Sequence, residues 1–195
     1  MRKSLAINSR YQRVLVIASL ILAGEAIFTL PYHVTRFFRP TFLEVFDLSA
    51  TELGVAQSAY GFAAMVAYFV GGPLADRFEP RKPLAGSLWA TALGGLYLAT
   101  FPSVAGVTLV WGFFGMTNIL FFYSALIKAT RSWGGDTQQG LAYGLLDGGR
   151  GLLAAGLASV GVFAFSITFP LGYDAATLPQ KAGVLRQVIY GYTAV

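Results

Sequence analysis

Glu25, Asn118, Asp147 and Arg150 are polar or charged residues set inside long apolar runs, and they are the side chains best placed to do chemistry in this chain. An ionisable group in a membrane-spanning helix costs about 3 kcal/mol at the bilayer centre, so its presence asks for a use. A guanidinium such as that of Arg150 can hold an anionic group. A carboxylate such as Glu25 or Asp147 can carry a proton. The plainer use is a buried Glu25–Arg150 or Asp147–Arg150 pair that ties helices together. The two uses are compatible if a substrate or proton competes for a structural partner. His33 and Arg36 stand near the end of the first apolar run. Imidazole is the side chain that changes charge near neutral pH, but a lone histidine at a helix end reads first as an interfacial residue.

Positioning these groups requires helices. Apolar residues make up 55% of the 195 and charged residues only 12%, where a soluble domain carries about 25% charged. Mean hydropathy is +0.61. Runs long enough to cross a bilayer as helix are expected at Val14–Val34, Leu53–Ala75, Leu84–Phe101, Val104–Ile127 and Leu141–Phe169, with a sixth starting near Val184 and incomplete at Val195. The basic N-terminus before an apolar run has the outline of a signal peptide. The run is too long for one, lacks a small-residue cleavage site, and is followed by further spans. Only Pro102 and Ser103 clearly separate the third and fourth runs, which predicts a tight hairpin.

At 1.5 Å per residue, Glu25, counted from Arg13, and Arg150, counted from Gln139, both lie about 16–18 Å from one membrane face. Asn118, counted back from Lys128, reaches a similar depth, and Asp147 is one turn from Arg150 on the same helix face. One layer is therefore expected to hold all four. Tyr60, Tyr68, Tyr123 and Tyr143 read mainly as packing or interfacial residues. The Gly140–Gly144–Gly148 ladder predicts close helix packing, and Arg131-Ser-Trp133-Gly-Gly predicts an interfacial turn.

The net charge of +5 is spread over connections between the runs, which argues against a nucleic-acid surface. With the N-terminus inside, Arg2, Lys3, Arg10, Arg13, Arg77, Arg81, Lys82, Lys128 and Arg131 fall on the cytoplasmic side. Arg36, Arg39, Lys181 and Arg186 fall outside. Nine against four favours a cytoplasmic N-terminus by the positive-inside rule.

Three of those cytoplasmic charges belong to one short stretch, Gly72-Pro-Leu-Ala-Asp76-Arg77-Phe-Glu-Pro-Arg81-Lys82, between the second and third runs. It resembles the signature loop between helices 2 and 3 of the major facilitator superfamily of secondary transporters. The resemblance implies an all-α integral membrane protein, the N-terminal six-helix half of that fold (three plus three helices as an inverted repeat), truncated within helix 6. It also implies that helices 1, 2, 4 and 5 line a central cavity. Asp76 would face a helix N-terminus in the other half, a favourable place for a carboxylate. Such a latch would favour the state closed to the cytoplasm.

Glu79 and Pro80 stand where Gly and Arg are usual, and Asp76-Arg77-x-x-Pro80-Arg81 looks more like the organophosphate:phosphate antiporters and their anion-transporting relatives. Arg131-Ser-Trp133 leading to Gln139-Gly140-x-Ala142-x-Gly144 loosely resembles the same group. Those antiporters place an Arg midway along helix 1, at a position corresponding to His33 without gaps, or to Thr35 or Arg36 with a short one. Drug:proton antiporters carry an Arg where Trp111 stands, and their Gly-Pro signature in helix 5 has no match here.

The expected function is secondary active transport of a small solute, an organic anion, across a bacterial cytoplasmic membrane, with a proton as the coupling ion. The expected partners are the anion, the lipid bilayer and the C-terminal half of the same protein. The second class considered is a non-transporting sensor or membrane module. An enzyme is disfavoured because no H-E-x-x-H or G-x-S-x-G spacing occurs. No cofactor or metal is expected in a chain without cysteine and with one histidine.

Overall fold

The computed structural model describes residues 10–75, 77–168 and 176–195. Arg2, Lys3, Asp76 and the expected span end at Phe169 lie outside the described residues. These residues form seven helices: α1 (Arg10–Phe37), α2 (Arg39–Val45), α3 (Ala50–Ala75), α4 (Arg81–Leu98), α5 (Val104–Gly134), α6 (Gln139–Thr168) and α7 (Leu178–Ala194). Among the described residues, α1, α3, α5 and α6 are long and apolar enough to cross a membrane.

Local sequence sets the boundaries. α3 opens on a capping box in which Glu52 Oε2 accepts from the Ser49 N–H at 2.8 Å and the Glu52 N–H donates to Ser49 Oγ at 3.2 Å. α7 begins six residues before the Val184 suggested by hydropathy. Thr177 and Gln180 close a second capping box there, and a proline lies in the first turn. Lys181 therefore sits inside α7 rather than in a loop, with its Nζ 2.9 Å from both carboxylate oxygens of Glu44 on α2. The α4–α5 hairpin is as short as Pro102 and Ser103 suggest, occupying residues 99–103. At its corner Phe101 has a φ of 56°. Its ring packs edge-on against Phe46 and lies under the Arg186 guanidinium.

In a bilayer, lipid tails are as apolar as leucine, so helices associate mainly through close van der Waals contact. Glycine decides where that contact occurs. The most extensive packing is α3 against α5. A Cβ at Gly115 would collide with the Tyr60 carbonyl oxygen, and one at Gly71 would come within 2.6 Å of the Leu120 carbonyl oxygen. α1 packs on α6 and on the second half of α5. There Gly149 leaves room for Ile21, whose Cδ1 would be 2.6 Å from an added Cβ. α4 packs on α5 and α7. Between these helices, Trp111, Phe114, Phe42, Leu30 and Leu185 fill the principal core.

The glycine ladder on α6 behaves differently from expectation. Positions 140, 144 and 148 are exposed and meet nothing within 4 Å in this chain, whereas Gly149 makes the close contact. Trp133 is not an interfacial turn residue either. It is buried near the end of α5, donating its indole N–H to the Arg13 carbonyl at 2.7 Å. The Arg13 guanidinium stacks over the Trp133 ring at 4.6 Å and bonds Gln138 Oε1 at 2.6 Å.

Candidate functional site

The first polar layer is assembled from α1 and α6. Glu25 is buried within α1, its side chain only 7% exposed. Burying a carboxylate is costly unless opposite charge and hydrogen bonds replace water. Two groups do this. His33 Nε2 lies 2.9 Å from Glu25 Oε1, and Arg150 Nε lies 3.5 Å from Glu25 Oε2. Arg150 also reaches Asp147, with its Nη1 3.7 Å from Oδ1 one turn away on α6. The Arg150 guanidinium lies 5.2 Å over the Phe28 ring, a cation–π arrangement.

The two contacts of Arg150 are loose. Close charge-assisted bridges run at about 2.7–2.9 Å, and those at Arg150 measure 3.5 and 3.7 Å. The Arg150 side chain is 23% exposed and that of Asp147 73%, while Glu25 is closed off. Arg150 thus bridges a buried carboxylate and an open one. Among the described residues, Arg150 Nε and His33 Nδ1 are buried side-chain nitrogens without a hydrogen-bond partner.

Gly24 makes this approach possible, and the sequence reading overlooked it. A Cβ at position 24 would lie 3.0 Å from Arg150 Cδ and 3.3 Å from Leu126 Cδ2. Both atoms belong to flexible side chains, so alanine can be absorbed by small shifts, while valine overpacks by about 1–3 kcal/mol. Gly24→Val is expected to lower the thermal midpoint of the detergent-solubilised protein by about 2–12 °C, at about 2–4 °C per kcal/mol, while Gly24→Ala stays within about 2 °C. Thermal unfolding of the two variants beside the parent checks this. Equal midpoints for both variants would mean that Arg150 does not need this passage.

His33 is a correction to the sequence reading, which placed it at the outer mouth as an interfacial residue. It is buried beside Glu25, with its ring edge-on to Phe37 and Tyr192. The reason is a π-helical turn over Thr29–His33, in which the Val34 N–H bonds the Thr29 carbonyl five residues back. In a regular α-helix, residues eight apart project about 80° from one another. One extra residue wound into a turn reduces that to about 20° and shortens the rise. Arg36 does not share this site. It is exposed, with its guanidinium 5.6 Å from the Phe37 ring.

Asn118 reaches the same depth but faces another way. It is fully buried in a second π-helical segment, Thr117–Tyr123 of α5. Its Nδ2 donates to the Ile27 carbonyl at 3.1 Å, and its Oδ1 accepts from the Thr91 and Thr117 hydroxyls, both at 3.2 Å. Depth along a helix does not determine azimuth, so the single expected layer separates into a charged cluster and an amide-centred one. The face beside the charged cluster is aromatic. Phe28, Tyr32 and Tyr60 are in ring contact, with centroids 5.9 and 5.2 Å apart, and Tyr68 meets Tyr123 at 5.9 Å.

The charged loop lies apart from both clusters. Gly72, Arg77, Arg81 and Lys82 are exposed. Lys128, from the far part of α5, donates to the Phe78 carbonyl at 3.1 Å and fastens the loop to that helix.

A model of the Major Facilitator Superfamily matches residues 14–173. The chain belongs to that superfamily. It is similar to the inner membrane protein YqcE of Escherichia coli (strain K12), 28% identical over 183 residues that cover 94% of this chain and 42% of the relative. It is also similar to the inner membrane protein YihN of the same organism, 32% identical over 158 residues, 80% of this chain and 37% of the relative. A third relative is the uncharacterized protein MG294 homolog of Mycoplasma pneumoniae, 24% identical over 214 residues, covering all of this chain and 44% of the relative. The chain thus spans about two-fifths of the length of these curated relatives. No solved structure matches. As a superfamily member with four membrane-length apolar helices, this is a multi-pass membrane protein of a transporter family.

Proposed function

We propose that this chain forms the first six-helix half of a secondary active transporter that moves a small organic anion across the bacterial inner membrane by alternating access. The observation that carries this reading is the loosely held Arg150. Its 3.5 and 3.7 Å contacts leave donors for an anionic group beside the Phe28–Tyr32–Tyr60 face. Glu25, or Asp147, takes the coupling proton when the anion competes for the guanidinium. The superfamily membership and the printed names of the two E. coli relatives support transport and the inner membrane respectively.

Helix packing is consistent with an inverted repeat. α1 packs on α6 as α5 packs on α3, α4 packs on α7, and α1 and α5 each carry a π-helical segment. Exchanging α1, α3 and α4 with α5, α6 and α7 leaves this pattern unchanged, as the three-plus-three arrangement requires. In this reading the N-terminus is cytoplasmic, the protein is not an enzyme, and the loop from Asp76 to Lys82 marks kinship with the organophosphate:phosphate antiporters.

The test is uptake into proteoliposomes holding the full-length protein, with labelled organic anions set against neutral isosteres under an imposed pH gradient. Accumulation of an anion in preference to its isostere supports the reading. Equal accumulation of both overturns the role of Arg150, and no accumulation of any solute favours a non-transporting sensor. For the loop, Asp76→Asn removes the charge that a helix N-terminus would hold, an interaction worth about 0.3–1 kcal/mol when exposed. It is expected to slow turnover about two- to fivefold with substrate affinity within a factor of two. An unchanged turnover number would end the latch.

A further inference from the structure

The turn that brings His33 onto Glu25 contains Pro31. Proline has no backbone N–H, so the carbonyl of the residue four positions earlier loses its regular α-helical donor. That residue is Ile27, which is fully buried. A buried carbonyl in a membrane-spanning helix has no water to turn to and needs a donor from elsewhere. The donor is on another helix: Asn118 Nδ2 lies 3.1 Å from the Ile27 oxygen. Asn118 is aimed there by the Thr91 and Thr117 hydroxyls, which donate to its Oδ1 and so orient the amide with its NH₂ toward α1. Thr91 is on α4 and Thr117 on α5, so three helices converge on one carbonyl.

We infer that Asn118 is a positioning residue for the Glu25–His33 pair, acting through the Ile27 carbonyl whose regular α-helical donor Pro31 removes. The amide holds α1 at the start of its wide turn. The wide turn puts the imidazole on the carboxylate. Among the described residues, the hydrogen-bond partners of Asn118 are Ile27, Thr91, Thr117 and Tyr60, and Glu25 is not one of them. Around the pair stand Glu25, His33 and Phe37 from α1, Asp147 and Arg150 from α6, and Tyr192 from α7. The inference rests on the reading of that pair as part of the transport site, but its test reads geometry and does not require transport.

The experiment is the ¹⁵N spectrum of the imidazole in the full-length protein in lipid nanodiscs. His33 is the single histidine of this sequence, and its signals are assigned by their loss in His33→Gln. Glu25→Gln defines the Nε2 position when the carboxylate is removed. Asn118→Leu keeps the bulk and deletes the amide. Its Nε2 signal is expected to move at least half of the way to the Glu25→Gln position. Pro31→Ala restores an N–H for Ile27 and is expected to move it as far, because the turn can close to a regular α-helix. In Pro31→Ala the further change Asn118→Leu is expected to shift nothing more.

A wild-type signal in Asn118→Leu overturns the proposal, as do additive shifts in the double variant. Should Asn118→Leu fail to accumulate, Pro31→Ala decides alone, and a wild-type spectrum there overturns it. Anion uptake measured on the same samples bears only on the transport reading, so the two can fail separately.

Discussion

On the proposed transport reading, Arg150→Ala in the full-length protein is expected to reduce anion uptake about 10²- to 10³-fold while leaving membrane insertion intact. Removing one partner of a buried charge pair costs about 3–5 kcal/mol, and each 1.4 kcal/mol is about tenfold. Among the described residues, the loss leaves Glu25, 7% exposed, with His33 as its remaining ionisable neighbour. It also removes a guanidinium that faces both carboxylates. A structural tie and a binding group predict different rescue. If Arg150 only neutralises Glu25, then Glu25→Gln/Arg150→Ala recovers most of the activity. If Arg150 holds the anion, the double variant stays inactive, and Arg150→Lys retains a fraction because a point charge replaces a planar fork. Uptake against substrate concentration in all four proteins checks this, and wild-type uptake by Arg150→Ala would remove the residue from the site.

The second large effect is on stability. Gly115→Val is expected to lower the thermal midpoint of the detergent-solubilised protein by about 6–12 °C. A Cβ at 115 would run into the Tyr60 carbonyl oxygen, with Ala63 Cβ 3.1 Å away. The first obstacle is backbone, so no side-chain rotation clears it and α3 must part from α5. Overpacking of this kind costs about 3 kcal/mol, and each kcal/mol shifts the midpoint of a protein of this size about 2–4 °C. Gly144→Val is the matched control, since position 144 meets nothing within 4 Å in this chain. Equal midpoints for the two variants would show that the α3–α5 crossing yields more easily than its geometry implies.

These two residues also show what could be seen from the sequence. Arg150 and Glu25 stood out because charge in an apolar run is expensive, and depth counting at a fixed rise put them together correctly. The same counting treated every helix as straight and regular. It put His33 too far along and said nothing about azimuth, so Asn118 was grouped with charges that it does not meet. Pro31 was the available signal, a residue without an N–H in the middle of a span. Gly115 and Gly140 look alike in sequence. Which of them lies at a crossing depends on the approach of α3 to α5, a long-range property that spacing within one helix does not carry. The charged loop was legible because its unusual residues are contiguous.

The two ends of the bundle are clasped. At one end Arg13, Trp133 and Gln138 lock the start of α1 to the close of α5 and the turn after it. Toward the other, Lys181 grips both oxygens of Glu44 and fixes α2 to α7. Between the clasps, α1 and α5 each give up regular winding, at Thr29–His33 and Thr117–Tyr123. A helix bends most readily where its hydrogen-bond ladder is already irregular. The bend point of α1 therefore coincides with the charged cluster. Flexing α1 at Thr29–His33 changes the distance from His33 to Glu25, so a change of shape is felt directly at that contact.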